Sequence, residues 1–263
     1  MPAPKRCKAI DRDRSRLHVM TVIEKSETLR LLESRVSVRA FRPDPVPDEL
    51  LATVLRAACR APTSSNIQAY SLVVIRDVET RRELSVLAGN QAHVAETPVF
   101  LAVCADLSRA RRACELHGKP FAGENMEIGL VATVDATLAG MCVMLAAESV
   151  GLGCVMIGGM RNKPVEVARL LELPSGAFVV FGMCLGWPAE RPEMRPRVPE
   201  DGAIHFDRYD GSRTDAVLNA YDQLLAQKGD GTLTWTAKIA RDFSTARRSD
   251  LRACLAALGL GFE

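Results

Sequence analysis

The chain has 263 residues, 48% hydrophobic and 25% charged, with a net charge of +2. It is long enough to bury a real core, in one large domain or two small ones. It lacks the basic excess expected of a nucleic-acid-binding domain, and the polar, basic opening over residues 1–16 has no apolar stretch for a secretory signal.

Residues 1–19 read as a loose tail, with the ordered chain beginning near Met20, which also offers an alternative start. A helix is expected over residues 24–35. In the next seven residues, alternation puts Arg35, Ser37 and Arg39 on one side and Val36 and Val38 on the other. Such a face suits either solvent or an anion. Prolines 43, 45 and 47 make a rigid extended turn, and Asp48 is expected to cap a helix with an apolar stripe at Leu50, Leu51, Val54, Leu55 and Ala58.

Residues 61–71 join that helix to a strand. Pro62 stops the helix, and a buried strand begins in the run Leu72-Val73-Val74-Ile75. Between them Thr63, Ser64, Ser65, Asn66 and Gln68 crowd a turn that needs only one or two such side chains. Read alone, this is a polar loop or a cradle for a polar, phosphate-bearing ligand.

A helix over 78–87 and a second polar loop, Gly89-Asn90-Gln91-Ala92-His93, come next. An almost continuously apolar strand over 99–105 follows, implying cover on both faces. A charged helix is expected over 108–119. Residues 124–150 form the longest helix candidate. Glu127, Asp135 and Glu148 interrupt it, so it reads as a core helix with part of its surface turned to another subunit rather than as a membrane span.

Gly151-Leu152-Gly153 ends this helix as a glycine cap. A short strand over 154–157 precedes the turn Gly158-Gly159-Met160-Arg161-Asn162, and a helix opens at Pro164. The glycines do not make a dinucleotide fingerprint, because Gly151 follows a helix and opens a strand. A strand over 177–185 ends at Gly186-Trp187-Pro188. The proline-spaced segment 191–199, with Arg195 and Arg197, cannot be helical and taken alone is a surface linker. Helices are expected over 215–227 and 244–258, joined by 229–235.

The eight cysteines have no CxxC spacing, and most sit in apolar runs. They read as buried reduced thiols in a cytosolic protein, with no metal site. No HExxH, GxSxG or P-loop occurs. A bound organic cofactor that carries the reactive atom is the natural alternative.

Four stretches, in this order, resemble the nitroreductase/flavin reductase family: Arg35-Val36-Ser37-Val38-Arg39-Ala40-Phe41; Ala61-Pro62-Thr63-Ser64-Ser65-Asn66-Ile67-Gln68; Gly151-Leu152-Gly153 through Ile157-Gly158-Gly159; and Leu185-Gly186-Trp187-Pro188 with Arg195-Pro196-Arg197. The match spans roughly residues 22–240 and looks closest to the group A oxygen-insensitive NADPH nitroreductases and the NADPH-flavin oxidoreductases.

The resemblance implies an α+β fold with a mostly antiparallel central sheet flanked by helices and a C-terminal helical extension, residues 20–263 forming one domain. It implies a homodimer with FMN at the interface and NADPH as co-substrate. Carried over, Arg35, Val36, Ser37 and Arg39 meet the FMN, Arg39 near the pyrimidine edge, and Ser64, Ser65 and Gln68 line it from the partner chain. Gln91 and His93 match a Gln-x-His. Ile157, Gly158 and Gly159 offer backbone near N5 and O4, and Arg195 and Arg197 match a basic pair at the phosphate. Val36 replaces a polar residue and Met156 a tyrosine common in the family, which bears on substrate range.

The implied activity is ping-pong hydride transfer through flavin N5 to nitroaromatics, quinones or free flavin. The alternatives are a flavin-binding protein without turnover and a family branch with other flavin chemistry. Lys228 and Arg241 are candidates for a 2′-phosphate.

Overall fold

A computed structural model of the chain describes residues 24–229 and 233–262. The expected tail and Met20 lie outside these residues. The first unit ends at Ser34 and holds α1 (Glu27–Ser34), whose Leu29 N–H donates to Ser26 Oγ at 3.3 Å.

The second unit begins at Arg35 and is built on a four-stranded sheet. Its strands are β1 (Tyr70–Ile75), β2 (Val99–Asp106), β3 (Gly153–Ile157) and β4 (Ala177–Gly186), in the order β1-β2-β4-β3. All three pairings are antiparallel. Every residue of the central strands β2 and β4 is buried.

Both faces of the sheet are covered, as the continuous apolar run in β2 requires. Leu101, Val103 and Ala105 share one core with α2 (Asp48–Ala58) and α6 (Met126–Ser149). Phe100, Ala102 and Cys104 share the other with α3 (Val78–Leu87) and α7 (Pro164–Leu170). In β4 the register skips Val180, which is why Val180 and Phe181 both join the first core.

α6 spans about 36 Å at 1.5 Å per residue. Asn125 caps its start by accepting from Ile128 N–H at 3.0 Å. Gly151, at φ +85°, ends it, while Leu152 N–H and Gly151 N–H close on the carbonyls of Ala147 and Glu148. Ala132, Ala136, Ala139, Gly140, Val143 and Ala147 are buried on one side of α6, Gly140 against Phe181 and Val103 of the sheet. The opposite face leaves Leu130, Val134 and Leu138 exposed at four-residue spacing.

Three expectations are corrected. Asp48 is the first residue of α2 and makes no cap hydrogen bond; its carboxylate instead pairs with Arg76 at 2.8 Å. The second polar loop turns helical at α4 (Ala92–Glu96). The helix expected over 244–258 is only α10 (Leu251–Ala257), and an unforeseen helix, α9 (Trp235–Phe243), precedes it. Thr234 caps α9 by accepting from Ala237 N–H, and Asp222 of α8 (Thr214–Gln227) accepts from Thr236 N–H at 3.1 Å. The charged helix after β2 is α5 (Ser108–Leu116).

Candidate cofactor site

The segment from Arg35 to Phe41 runs beside β3 and the end of β4. Val38 N–H donates to the Cys154 carbonyl at 3.0 Å, and Phe41 bridges to Pro188. Val38 is buried and Arg39 exposed, as alternation requires. The approach is close enough that a Cβ on Gly153 would stand 2.8 Å from Val38.

Arg35 Nε lies 3.6 Å from Glu148 Oε1 at the end of α6. Cys154 Sγ donates to the same carboxylate at 3.5 Å. Burial pushes the Glu148 carboxyl above its ordinary range, against the opposing pull of Arg35, Cys154 and Arg191. Arg35 Nε and Glu148 Oε2 are buried without a hydrogen-bond partner.

The diglycine turn follows β3 directly. A Cβ on Gly159 would meet the Ala88 carbonyl and stand 2.6 Å from Gln91 Nε2, so only glycine fits. Gln91 Nε2 donates to Ala88 O at 2.8 Å and Asn162 Nδ2 to the same oxygen at 3.3 Å. His93, in the first turn of α4, has its Nε2 buried without a partner. Thus Arg35, Val36, Ser37, Arg39, Gln91, His93, Ile157, Gly158 and Gly159 all belong to segments gathered around β3.

Burial lowers the His93 pKa, and the Arg39 charge lowers it further against Glu96. The unfolded chain then binds the proton more readily. The stability His93 contributes is full above its unfolded pKa of about 6.5 and is lost as pH falls toward the lower folded value. His93→Gln is therefore expected to flatten the thermal midpoint between about pH 7 and pH 5 relative to the unsubstituted protein. Parallel pH profiles would show that this imidazole is not held neutral.

The loop between α2 and β1 is built differently. Ser65, Asn66 and Gln68 all hold positive φ, at 47°, 57° and 55°. Two charged side chains brace it. Asp135 of α6 is fully buried and accepts from Ser64 N–H at 2.9 Å and Ala69 N–H at 3.0 Å. Arg109 of α5 donates to the Gln68 carbonyl at 2.8 Å, to the Tyr70 carbonyl and to Ser71 Oγ. Burial raises the pKa of Asp106, but hydrogen bonds from Ser108 and Ser71 and the charge of Arg109 outweigh it and hold the carboxyl low. So held, Ser64, Ser65, Asn66, Ile67 and Gln68 face outward.

The bracing roles of Asp135 and Arg109 escaped the sequence reading, which took Asp135 only as an interruption of the apolar helix. The one available signal for Asp135 was a lone acid in an otherwise apolar stretch.

Asp135 braces this loop and Glu148 holds Arg35, and the two acids lie thirteen residues apart on α6. That is about 20 Å along the helix axis. Within one chain, Ser64, Ser65 and Gln68 are therefore not brought to the Arg35 group. Arg195 shares a surface groove of about 310 Å³ with Lys228. Arg197 is exposed in the same segment, which Tyr221 Oη anchors by donating to the Pro196 carbonyl at 3.0 Å. Arg241 does not join Lys228 in that groove; its guanidinium bonds Asp242 at 3.0 Å. Among the described residues no cluster of metal-ligating side chains occurs.

Residues 32–187 match the Nitroreductase family, and residues 195–263 match the Nitroreductase family, C-terminal domain. An FMN reductase [NAD(P)H] of Bacillus subtilis is 34% identical, over 90% of this chain and 99% of its own. An oxygen-insensitive NADPH nitroreductase of Salmonella typhimurium is 37% identical, over 82% of this chain and 90% of its own. The NADPH:FMN oxidoreductase of Vibrio harveyi, solved in complex with NAD+, superposes with a TM-score of 0.84 at 33% identity, covering 90% of this chain and all of its own.

Proposed function

The chain belongs to the nitroreductase family, and on that premise we propose that it is an FMN-dependent NAD(P)H oxidoreductase reducing nitroaromatics, quinones or free flavins. The observation that carries the reading is the group around β3: the Gly158–Gly159 turn with Gly159 packed against Ala88 and Gln91, the unpartnered His93 Nε2 within reach of the Arg39 charge, and the buried Arg35 Nε at the strand's other end, beside Glu148. These residues fit FMN. Buried, unsatisfied nitrogens and guanidinium groups suit a polar, phosphorylated ligand, and two successive residues without side chains suit a close approach of backbone to it.

When bound, FMN supplies the redox atom, N5, which takes hydride from the nicotinamide and passes electrons to the acceptor. The chain's own residues bind and orient. Arg35, Val36, Ser37 and Arg39 hold one edge, with Gln91 and His93 beside it. Ile157, Gly158 and Gly159 present backbone to the ring, where fixed dipoles stabilise developing negative charge. Arg195 and Arg197 serve the phosphate. Lys228, sharing a groove with Arg195, favours NADPH as the co-substrate.

We place the site at the interface of a homodimer, as one FMN-binding domain over residues 20–263. The spacing of about 20 Å along α6 supports this, since a partner can bring Ser64, Ser65 and Gln68 to the flavin that one chain cannot reach. The exposed stripe Leu130, Val134 and Leu138 supplies apolar surface for the contact. The cytosol is the proposed compartment, because the seven described cysteines are all free.

Purified protein is expected to carry about one FMN per chain, as the homologous motifs imply. Anaerobic NADPH is expected to bleach it rapidly. A bound flavin that NADPH leaves yellow would favour a store or sensor, and protein that binds no flavin would overturn the reading.

A further inference from the structure

The C-terminal segment reaches back to the diglycine turn through Arg248, which lies between α9 and α10. Arg248 holds φ +52°, a region that a side-chain-bearing residue occupies only at a cost. Its guanidinium donates through Nε to Asn162 Oδ1 at 2.9 Å and through Nη2 to the Gly158 carbonyl at 3.3 Å. Arg161 brings a second guanidinium to the same place. It stands 3.4 Å from where a Cβ on Gly158 would be and donates to the Val180 carbonyl. Burial holds the Arg161 pKa down and the charge of Arg248 adds to it, so the two cations feel one another.

Both guanidinium groups spend these hydrogen bonds on neutral oxygens. The Gly158–Gly159 peptide therefore sits in a positive potential that these acceptors do not neutralise. A cation on the carbonyl of a peptide also draws density from its N–H, so hydrogen bonds on the two sides strengthen each other. Here that N–H belongs to Gly159.

We propose that Arg248 is a positioning residue that fixes the Gly158–Gly159 peptide and makes the Gly159 N–H a stronger donor to the flavin ring, favouring reduced, anionic FMN over oxidised FMN. The proposal rests on the reading of the site given above.

The apoprotein and its Arg248→Ala, Arg248→Gln and Arg248→Lys variants are titrated anaerobically with oxidised FMN and with dithionite-reduced FMN, with thermal melts alongside. The ratio of reduced to oxidised affinity is expected to fall about tenfold in Arg248→Ala and Arg248→Gln and to recover in Arg248→Lys. For a two-electron couple, tenfold corresponds to about 30 mV in the midpoint potential. A residue that only braces the chain would lower the melting point, or both affinities equally, and leave the ratio unchanged; that result overturns the proposal. Should Arg248→Ala not fold, the Gln and Lys pair decides, since the two differ in charge while both keep a donor. Unsubstituted protein that binds neither form of FMN would instead defeat the reading of the site.

Discussion

Replacing Asp135 by alanine is expected to lower folding stability by about 3–5 kcal/mol, the loss of two hydrogen bonds to a charged group. The carboxylate is fully buried, and both its oxygens are committed to backbone N–H groups, at Ser64 and Ala69. Truncation leaves both donors unpaired, the Ala69 one in the core, at about 1.5–3 kcal/mol for each hydrogen bond to a charged group. It also removes the brace that keeps Ser65, Asn66 and Gln68 in left-handed conformations.

Asp135→Asn preserves volume but turns an amide N–H₂ toward one of the two donors, so only part of the loss should be recovered. Chemical denaturation of both variants measures this. A cost for Asp135→Ala below about 1 kcal/mol, ordinary for a single neutral hydrogen bond, would show that the loop is held by something else.

The second large effect concerns assembly. Val134→Arg is expected to leave the single chain folded, because Val134 is 53% exposed within it. In the proposed dimer the same position faces the partner, and an unpaired buried charge there costs about 3–5 kcal/mol. That corresponds to a dimer dissociation constant weakened by roughly 10²–10⁴-fold. FMN retention should fall with it, since the two halves of the site then stay in separate molecules.

Sedimentation at decreasing protein concentration, read at the flavin absorbance, follows both quantities together. A variant dimer as tight as the parent would remove the exposed face of α6 from the interface. A folded monomer that still holds FMN would show that the site is complete within one chain.

Much of the fold was legible locally. The four strands follow from their apolar runs, and the ends of α6 follow from Asn125 and the glycine at 151. α9 was missed because its anchor, Asp222, lies on another helix. Asp48 was misread because a first-turn acid suits a cap and an ion pair equally well, and Arg76, 28 positions along the chain, decided it.

The sequence by itself determined the alternation of Arg35, Ser37 and Arg39, the crowded polar turn over Thr63–Gln68 and the bare backbone at Gly158 and Gly159, because periodicity, breakers and glycines act within a few residues of their own position. Tertiary structure alone decided how these pieces are held. Asp135 reaches partners 71 and 66 residues upstream, Arg109 reaches 41 and Arg248 reaches 90. A buried carboxylate or guanidinium must be paired wherever the fold sets it down. No local pattern records which backbone group will be waiting there.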